Sequence, residues 1–306
     1  MDILFAGTPK ASAKILKYLA IHNDINVIGA ITQPDKPQKR GNKVLCSEVS
    51  AEAKSFNIPT YKPNDLDNND IKNLIGSLNF DFLVVAAYGK ILPDWLLNLP
   101  KHMPINIHYS LLPQYRGASP IQSSLLNGDK VSGVTFMEMS SGLDEGKIID
   151  KYEININQDA NKSSLEEDLS ELAISKIYEV INNVYSNKYS SSQQEESLAT
   201  YCKKIKKTDS IINFSSPAET ILNKYRAYYS WPGVRFVHKK TMVKISKMHI
   251  TEEKFNGSVG SIVRFDKSGL YIKTSTKTIV ITYLQMPNKN VISSVDAFNA
   301  YKQFFC

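Results

Sequence analysis

Short apolar segments alternate with amphipathic segments through the first 150 residues of the chain. The unbroken apolar run Phe82–Ala87 is typical of a strand that is buried on both faces. Further short apolar runs predict strands at Ile3–Phe5, Val27–Ile31, Ile105–Ile107 and Val134–Met137. Because strands alternate with helices, this pattern predicts a parallel α/β sheet, in which ligands bind beyond the carboxyl ends of the strands.

Helical spacing of apolar residues predicts the segments that connect these strands. The predicted helices are Ser12–Leu19, Val44 to about Phe56, Ile71–Leu78 and a longer one at Ser164–Tyr185. Together with the strands, they predict a Rossmann-like domain over residues 1–185.

The chain changes character after Tyr185. Residues 186–206 begin with a polar stretch that has no periodicity, and we predict that they form a linker. Closely spaced β-rich runs then predict a small OB-like antiparallel β-barrel over residues 207–306. These runs are Val234–Val237, Thr241–Ile245, Ser258–Val263, Leu270–Thr274 and Thr278–Leu284.

The net charge of +7 over 306 residues is the sum of two opposed parts. Residues 1–199 carry 19 basic and 24 acidic side chains, a net −5, whereas residues 200–306 carry 18 and 6, a net +12. Such an asymmetry favours a polyanionic partner for the last third, and nucleic acid is the commonest one. A solvated lysine-rich surface is the alternative interpretation.

Other features exclude whole classes of protein. No apolar run approaches the length of a membrane span, and the first residues lack the basic region of a secretion signal. The cysteines Cys46, Cys202 and Cys306 are far apart, which argues against a disulfide framework or a thiolate zinc site. We therefore expect a soluble cytoplasmic protein, and separately we expect it to be a monomer.

Two polar side chains share one face of the predicted strand Ile105–Ile107. Because side chains alternate along a strand, Asn106 and His108 project together, away from the two isoleucines. A side-chain amide can donate to a developing oxyanion, and an imidazole can stabilise charge or move a proton. The pair favours acyl-type transfer, and the alternative is a capping asparagine beside a hydrogen-bonded core histidine.

A carboxylate follows on a glycine-rich loop after the strand that ends near Met139. Gly142 and Gly146 permit a tight turn and a close approach of the backbone to a ligand. Asp144 lies between them and can orient His108, bind a substrate donor or relay a proton through water. An ordinary Asx turn is the alternative.

A series of motifs runs in order along nearly the whole chain. They are Phe5-Ala6-Gly7-Thr8-Pro9, Ala87-Tyr88-Gly89-x-Ile91-Leu92-Pro93, Asn106-x-His108, Ser110-Leu111-Leu112-Pro113-x-x-Arg116-Gly117, Gly142-Leu143-Asp144-x-Gly146, Lys203-Lys204-Ile205-x-Lys207 and Arg226-Ala227-x-x-x-Trp231-Pro232-Gly233. One such motif alone is weakly specific. The ordered set closely resembles the methionyl-tRNA formyltransferase family.

The resemblance implies a reaction and a catalytic set. The formyl group of 10-formyltetrahydrofolate would pass to the α-amino group of methionine esterified to initiator tRNA, giving the N-formylmethionyl-tRNA of translation initiation. By the same resemblance, Asn106 and His108 hold the tetrahedral oxyanion, while Asp144 orients His108 and assists proton transfer from the amine. The tetrahydrofolate derivative is a consumed cosubstrate, and no metal is implied.

The resemblance also implies the ligand contacts. The loop of Ser110, Leu111, Leu112 and Pro113 would lie against the folate, and the segment containing Ala87, Tyr88 and Leu92 would form a wall of the pterin pocket. A basic loop would enter the acceptor end of the tRNA through Lys39, Arg40 and Lys43. The basic segment of Lys203, Lys204, Lys206 and Lys207 is expected to bind the tRNA generally.

Two other functions stay open. One is another 10-formyltetrahydrofolate enzyme of the same catalytic fold: a sugar-nucleotide N-formyltransferase, a glycinamide ribonucleotide formyltransferase or the hydrolase portion of a formyltetrahydrofolate dehydrogenase. The basic last third disfavours all three, although some sugar formyltransferases carry a C-terminal β domain. The other is a non-catalytic RNA-binding protein, which would have no use for Asn106, His108 and Asp144 together.

Overall fold

The computed structural model of the protein describes residues 1–37 and 44–306. These residues divide into two compact units. Unit 1 consists of Met1–Pro120, Val131–Asn155 and Glu166–Lys203, and unit 2 consists of Ile121–Lys130, Ile156–Leu165 and Lys204–Cys306.

Helices connect the five predicted strands, as the hydrophobic pattern of the first 150 residues predicts, and further strands lie between or after them up to residue 202. The strands are β1 (Asp2–Gly7), β2 (Asn26–Ile31), β3 (Lys36–Pro37), β4 (Val44–Leu45), β5 (Thr60–Tyr61), β6 (Phe82–Ala86), β7 (Met103–His108), β8 (Arg116–Gly117), β9 (Val131–Glu138), β10 (Ile148–Asn155) and β11 (Tyr201–Cys202). The helices are α1 (Lys10–Ile21), α2 (Glu48–Ser55), α3 (Asn69–Gly76), α4 (Asp94–Leu97), α5 (Pro120–Asn127) and α6 (Lys162–Tyr185).

A seven-stranded sheet forms the centre of unit 1, in the order β10-β9-β7-β6-β1-β2-β5. The strands from β7 to β5 are parallel, and β9 is antiparallel to both β7 and β10. All five predicted strands are confirmed, and β6 is buried along its whole length. The edge strand β10 had no predicted counterpart, since its many polar residues interrupt any apolar run.

Helix α2 begins later than the predicted Val44. Residues Val44–Leu45 instead form β4 and pair with β3. The helix begins at Glu48, because the Ser47 hydroxyl accepts a hydrogen bond from the Ser50 amide at 3.0 Å and caps it. The Ser47 hydroxyl also lies 2.6 Å from Thr32 Oγ1 at the end of β2. This tertiary contact has no local signature in the chain.

The polar segment that begins at Ser186 packs within unit 1 as far as Lys203. Ile148 and Ser192 exchange two backbone hydrogen bonds of 2.9 Å, and β11 pairs with β8 in parallel. Hydrogen bonds rather than apolar side chains hold this segment, which explains its lack of hydrophobic periodicity. The division into residues 1–185, 186–206 and 207–306 stays a prediction.

Unit 2 contains the predicted antiparallel β structure. Its main elements are α7 (Ala218–Ala227), β12 (Val234–His238), β13 (Thr241–Thr251), β14 (Ile262–Asp266), β15 (Gly269–Lys273), β16 (Thr278–Gln285), β17 (Val291–Ser293) and α8 (Ser294–Phe305). The sheet order is β12-β13-β16-β15-β14, and β17 pairs with β16. No helix among the described residues is long and apolar enough to cross a membrane.

One strand of unit 2 is displaced from its predicted position. The hydrophobic pattern predicts a strand over Ser258–Val263, but β14 begins only at Ile262. The preceding residues form a turn instead, in which the Ser261 amide donates to the Ser258 carbonyl at 3.0 Å. Gly257 and Gly260 adopt φ values of 145° and 84°, which suit this turn and not a strand.

Candidate active site

Asn106 and His108 lie in the last three residues of strand β7, at the carboxyl end of the parallel strands. In the register with β9, Asn106 lies opposite Met137 and His108 lies opposite Thr135. Both polar side chains are buried, with 8% and 6% of their surface exposed. They therefore lie in a site where hydrogen bonds are strong because water is largely excluded.

The loop after β9 folds back over the end of that strand. A Cβ atom at Gly146 would lie only 1.8 Å from the Glu138 carbonyl oxygen, so only glycine fits there. Asp144 adopts a φ of 52°, which is uncommon for a residue with a side chain. This conformation costs free energy and persists only because surrounding contacts hold it.

The carboxylate of Asp144 meets both polar side chains of β7. Asn106 Nδ2 donates to Asp144 Oδ1 at 3.3 Å, and His108 Nδ1 lies 3.7 Å from Asp144 Oδ2. The backbone amide of Gly117 donates to the same Oδ2 atom at 2.8 Å. The fold thus brings together the three residues that the sequence motifs single out for catalysis.

The imidazole of His108 is oriented from its other side. Its Nε2 atom lies 2.9 Å from the Tyr115 carbonyl oxygen. Because a carbonyl oxygen only accepts, we infer that Nε2 carries a hydrogen atom. In the neutral ring the lone pair is then on Nδ1, beside Asp144. Nδ1 is therefore the atom at which His108 can take up a proton.

The segment Ser110–Pro113 is fixed to the neighbouring strand. Thr135 Oγ1 donates to the Ser110 carbonyl at 2.7 Å and accepts from the Leu112 amide at 3.1 Å. The side chains of Ser110 and Leu112 are fully buried, whereas Leu111 and Pro113 are half-buried. Leu111 and Pro113 are thus the two members of this loop that offer apolar surface.

The segment after β6 also contains both exposed and buried members of the predicted folate site. Ala87 is exposed and adopts a φ of 46°, while Tyr88 and Leu92 belong to the apolar core of unit 1. The Tyr88 carbonyl accepts hydrogen bonds from Thr8 Oγ1 at 2.9 Å and Gln33 Nε2 at 3.0 Å. Burial raises the pKa of Tyr88 to about 12, so its hydroxyl stays neutral.

The basic residues predicted to bind tRNA fall into two groups. The side chains of Lys203, Lys204, Lys206 and Lys207 are all exposed. Lys39, Arg40 and Lys43 lie outside the described residues. In the part of the chain that is described, no three His, Cys, Asp or Glu side chains are grouped as metal ligands would be.

A buried arginine supports the site and was not identified as a site residue from the sequence. The Arg116 side chain is fully buried, and its Nη1 and Nη2 atoms donate to the Glu196 carboxylate at 3.1 and 2.7 Å. These hydrogen bonds raise the pKa of Arg116 and lower that of Glu196. Nε of Arg116 donates to Gln194 Oε1 at 2.9 Å. Gln194 and Glu196 come from the polar segment after α6, where composition gives no signal for a contact so distant in sequence.

The chain resembles known proteins in both sequence and fold. Residues 1–181 match the family model described as "Formyl transferase". Residues 204–302 match the model described as "Formyl transferase, C-terminal domain". Among solved structures, an N-formyltransferase from Helicobacter canadensis in complex with folinic acid and dTDP-3-aminofucose has the same fold. Its TM-score is 0.69 at 21% identity, covering 91% of this chain and 98% of that one.

Two curated relatives are similar over nearly their full length. The methionyl-tRNA formyltransferase of Sulfurihydrogenibium sp. is 38% identical, over 99% of this chain and 97% of that protein. The methionyl-tRNA formyltransferase of Thermotoga neapolitana is 39% identical, over 96% and 93%. Both domain models and both relatives agree, and the chain belongs to the methionyl-tRNA formyltransferase family.

Proposed function

We propose that the protein transfers the formyl group of 10-formyltetrahydrofolate to the α-amino group of methionyl initiator tRNA. The product is the N-formylmethionyl-tRNA used to initiate translation. One observation carries the proposal: Asn106, His108 and Asp144 converge at the carboxyl end of strand β7 in a chain of this family. We further propose that the enzyme acts as a monomer in the cytoplasm, where that substrate is used.

The three side chains divide the work of acyl transfer. The amine nitrogen attacks the formyl carbon, a new C–N bond forms, and the bond from that carbon to N10 of the folate breaks. Asn106 donates to the oxyanion that develops on the formyl oxygen. His108 takes up the amine proton at Nδ1, with Asp144 stabilising the charged ring, and N10 gains a proton as it leaves.

The folate donor is proposed to lie against the two fixed loops beside this triad. Leu111 and Pro113 offer apolar surface from a rigid backbone, and exposed Ala87 follows the buried strand β6. The buried side chains of Ser110 and Leu112 anchor the loop that contains Leu111 and Pro113. The buried side chains of Tyr88 and Leu92 anchor the loop that contains Ala87. Such preformed, largely apolar walls suit the flat ring of a pterin.

Charge supports a nucleic-acid substrate. In this proposal residues 1–185 supply the chemistry, and the predicted tRNA-binding region, residues 207–306, together with the lysines at 203–207, binds the tRNA through its phosphates. The loop containing Lys39, Arg40 and Lys43 is proposed to contact the acceptor end. Arg40 is the member expected to discriminate initiator from elongator tRNA.

The decisive assay offers the purified protein 10-formyltetrahydrofolate with one of two acceptors. We expect formylation of methionyl initiator tRNA and none of dTDP-3-aminofucose, an amino-sugar nucleotide. Initiator tRNA without methionine is the control, because it has the same phosphates but lacks the attacking α-amino group. Formylation of the sugar alone would overturn the proposal in favour of a sugar N-formyltransferase.

The lysine segment provides a test of the electrostatic contribution. Replacing Lys204, Lys206 and Lys207 with Gln should weaken tRNA binding for all tRNAs, because three phosphate contacts and their released counterions are lost. The slope of log Kd against log salt concentration should fall by about 2 to 3, as each phosphate contact contributes about 0.7 to 0.9. Fluorescence anisotropy with labelled tRNA at several salt concentrations measures both quantities.

A charge-matched control removes three exposed lysines from the acidic part of the chain. Lys17, Lys151 and Lys188 are exposed in unit 1, and their replacement with Gln changes the net charge by the same amount. The salt slope of this control should stay near that of the wild type. Equal changes in both triple variants would mean that net charge, and not the segment, determines the affinity.

A further inference from the structure

One buried glutamine holds the backbone of the Asp144 loop at two points. Gln194 Nε2 donates to the Asp144 carbonyl oxygen and to the Gly146 carbonyl oxygen, both at 2.8 Å. The Gln194 side chain is 8% exposed, so these hydrogen bonds form away from bulk water. Both hydrogens of one amide group thereby fix the two carbonyls on either side of Glu145.

Arg116 fixes the orientation of the Gln194 side-chain amide. Arg116 Nε donates to Gln194 Oε1 at 2.9 Å, and a guanidinium can only donate. The oxygen of the amide must therefore face Arg116, and its NH2 group must face the loop. Arg116 itself is fully buried and held by Glu196 and by its backbone amide, which donates to the Thr200 carbonyl at 2.9 Å.

These contacts close a ring around the catalytic carboxylate. Gly117 follows Arg116, and its amide donates to Asp144 Oδ2 at 2.8 Å. The backbone of Arg116–Gly117 thus holds the Asp144 side chain, while the Arg116 side chain acts through Gln194 on the Asp144 backbone. Asp144 has a positive φ of 52°, a conformation that requires such support.

We infer that Gln194 is a positioning residue, which holds Asp144 in place against His108 and Asn106 through its two hydrogen bonds to the loop. The inference rests on the proposed function, since it assumes that Asp144 acts in formyl transfer. It assigns a role in catalysis to the polar segment after α6. Gln194 is not assigned a contact with any reacting atom, so it affects the rate only through the placement of the carboxylate.

Two substitutions separate the donor role of Gln194 from its bulk. Gln194→Glu keeps the size of the side chain and an acceptor for Arg116, but a carboxylate cannot donate to the two loop carbonyls. Gln194→Met keeps the approximate volume and removes both polar functions. We expect each variant to lower kcat by about 10- to 100-fold, since displacing a catalytic group by about 1 Å costs on that order. The KM values for the folate donor and the tRNA should change by less than about 3-fold.

The neighbouring Gln193 provides the matched control. Its side chain is exposed in the same segment, and Gln193→Ala should leave kcat near the wild-type value. If Gln194→Glu keeps the wild-type kcat, as the Gln193→Ala control should, the two hydrogen bonds to the loop are dispensable and the inference is wrong. Should Gln194→Met fail to fold, Gln194→Glu still decides, because it retains the contact with Arg116.

A double-mutant cycle with Asp144→Asn distinguishes positioning from a general structural role. If Gln194 acts through Asp144, Gln194→Glu should lower kcat much less in the Asp144→Asn background than in the wild type. Independent, multiplicative losses in the double variant would overturn the inference. A wild-type protein that does not formylate methionyl-tRNA would instead refute the proposed function, so the two failures are distinguishable.

Discussion

His108→Ala is expected to lower kcat for formyl transfer by about 100- to 10,000-fold, the usual contribution of a positioned acid–base group. The imidazole is held between the Tyr115 carbonyl, 2.9 Å from Nε2, and the Asp144 carboxylate, 3.7 Å from Nδ1. Alanine removes the imidazole nitrogen that takes up the amine proton in the proposed reaction. Single-turnover kinetics with a saturating folate donor measure this loss without a contribution from product release.

Asp144→Asn tests the charge at the same place. The amide has nearly the shape of the carboxylate and can still accept from the Gly117 amide, but it cannot stabilise a positive charge on His108. We expect a loss of about 10²- to 10⁴-fold in kcat. Full activity in Asp144→Asn would contradict the assigned role, because neither the negative charge nor the second acceptor, which Asn106 Nδ2 uses, would then be needed.

The controls use a second histidine and the tRNA affinity. His102 is exposed just before the start of β7, where the site chemistry is absent, and His102→Ala should keep kcat near the wild-type value. Affinity for tRNA should change by less than about 2-fold in the His108 and Asp144 variants, because neither side chain is assigned to phosphate binding. An equal loss of tRNA affinity in both would indicate that they maintain the fold.

Gly117→Ala is expected to lower the free energy of unfolding by about 2 to 5 kcal/mol. Gly117 has a φ of 114°, which side chains rarely adopt, and an added Cβ atom would lie 2.4 Å from the Cys202 carbonyl oxygen. That oxygen belongs to β11, the partner of β8. The strands must separate or twist, and the Gly117 amide must then move away from Asp144. We therefore expect kcat to fall along with stability.

The unfolding of unit 1 within the full chain needs a fluorescent probe that lies in that unit. The chain has two tryptophans, and a Trp231→Phe background leaves Trp95, which packs against the unit 1 core, as the fluorescent probe of urea unfolding. Two glycine controls lie in the same unit. A Cβ atom added at Gly76 would meet no atom within 4 Å, and the φ of Gly76 is an ordinary one. Gly76→Ala should therefore change the free energy of unfolding by about 1 kcal/mol or less in either direction.

Gly89→Ala provides a control that has the positive φ but no clash with a backbone atom. Gly89 has a φ of 82°, but its added Cβ atom would meet only the flexible end of the Gln33 side chain. We expect a loss of about 1 to 3 kcal/mol, because the backbone is strained and Gln33 Nε2, which donates to the Tyr88 carbonyl, must move. If Gly117→Ala costs no more than Gly89→Ala, the close approach of Gly117 to Cys202 does not limit stability.

Part of the candidate site could be predicted because it is local in sequence. Asn106 and His108 are two residues apart on one strand, and the period of a strand alone places them on one face. The glycines around Asp144 signal a tight loop at the end of a predicted strand. By contrast, Gln194 lies 50 residues from Asp144 in a polar stretch, and its role depends on a hydrogen bond across that separation.

The alternation of strands and helices, the basic last third and the pair of polar side chains on β7 can all be read from the chain alone. These features follow from the fixed periods of strands and helices and from the side-chain charges, which any segment carries with it. The burial of Arg116 and the contacts of Gln194 with the Asp144 loop arise only in the folded protein. Each depends on hydrogen bonds between segments distant in the chain, and a single buried polar contact leaves no periodic trace in the sequence.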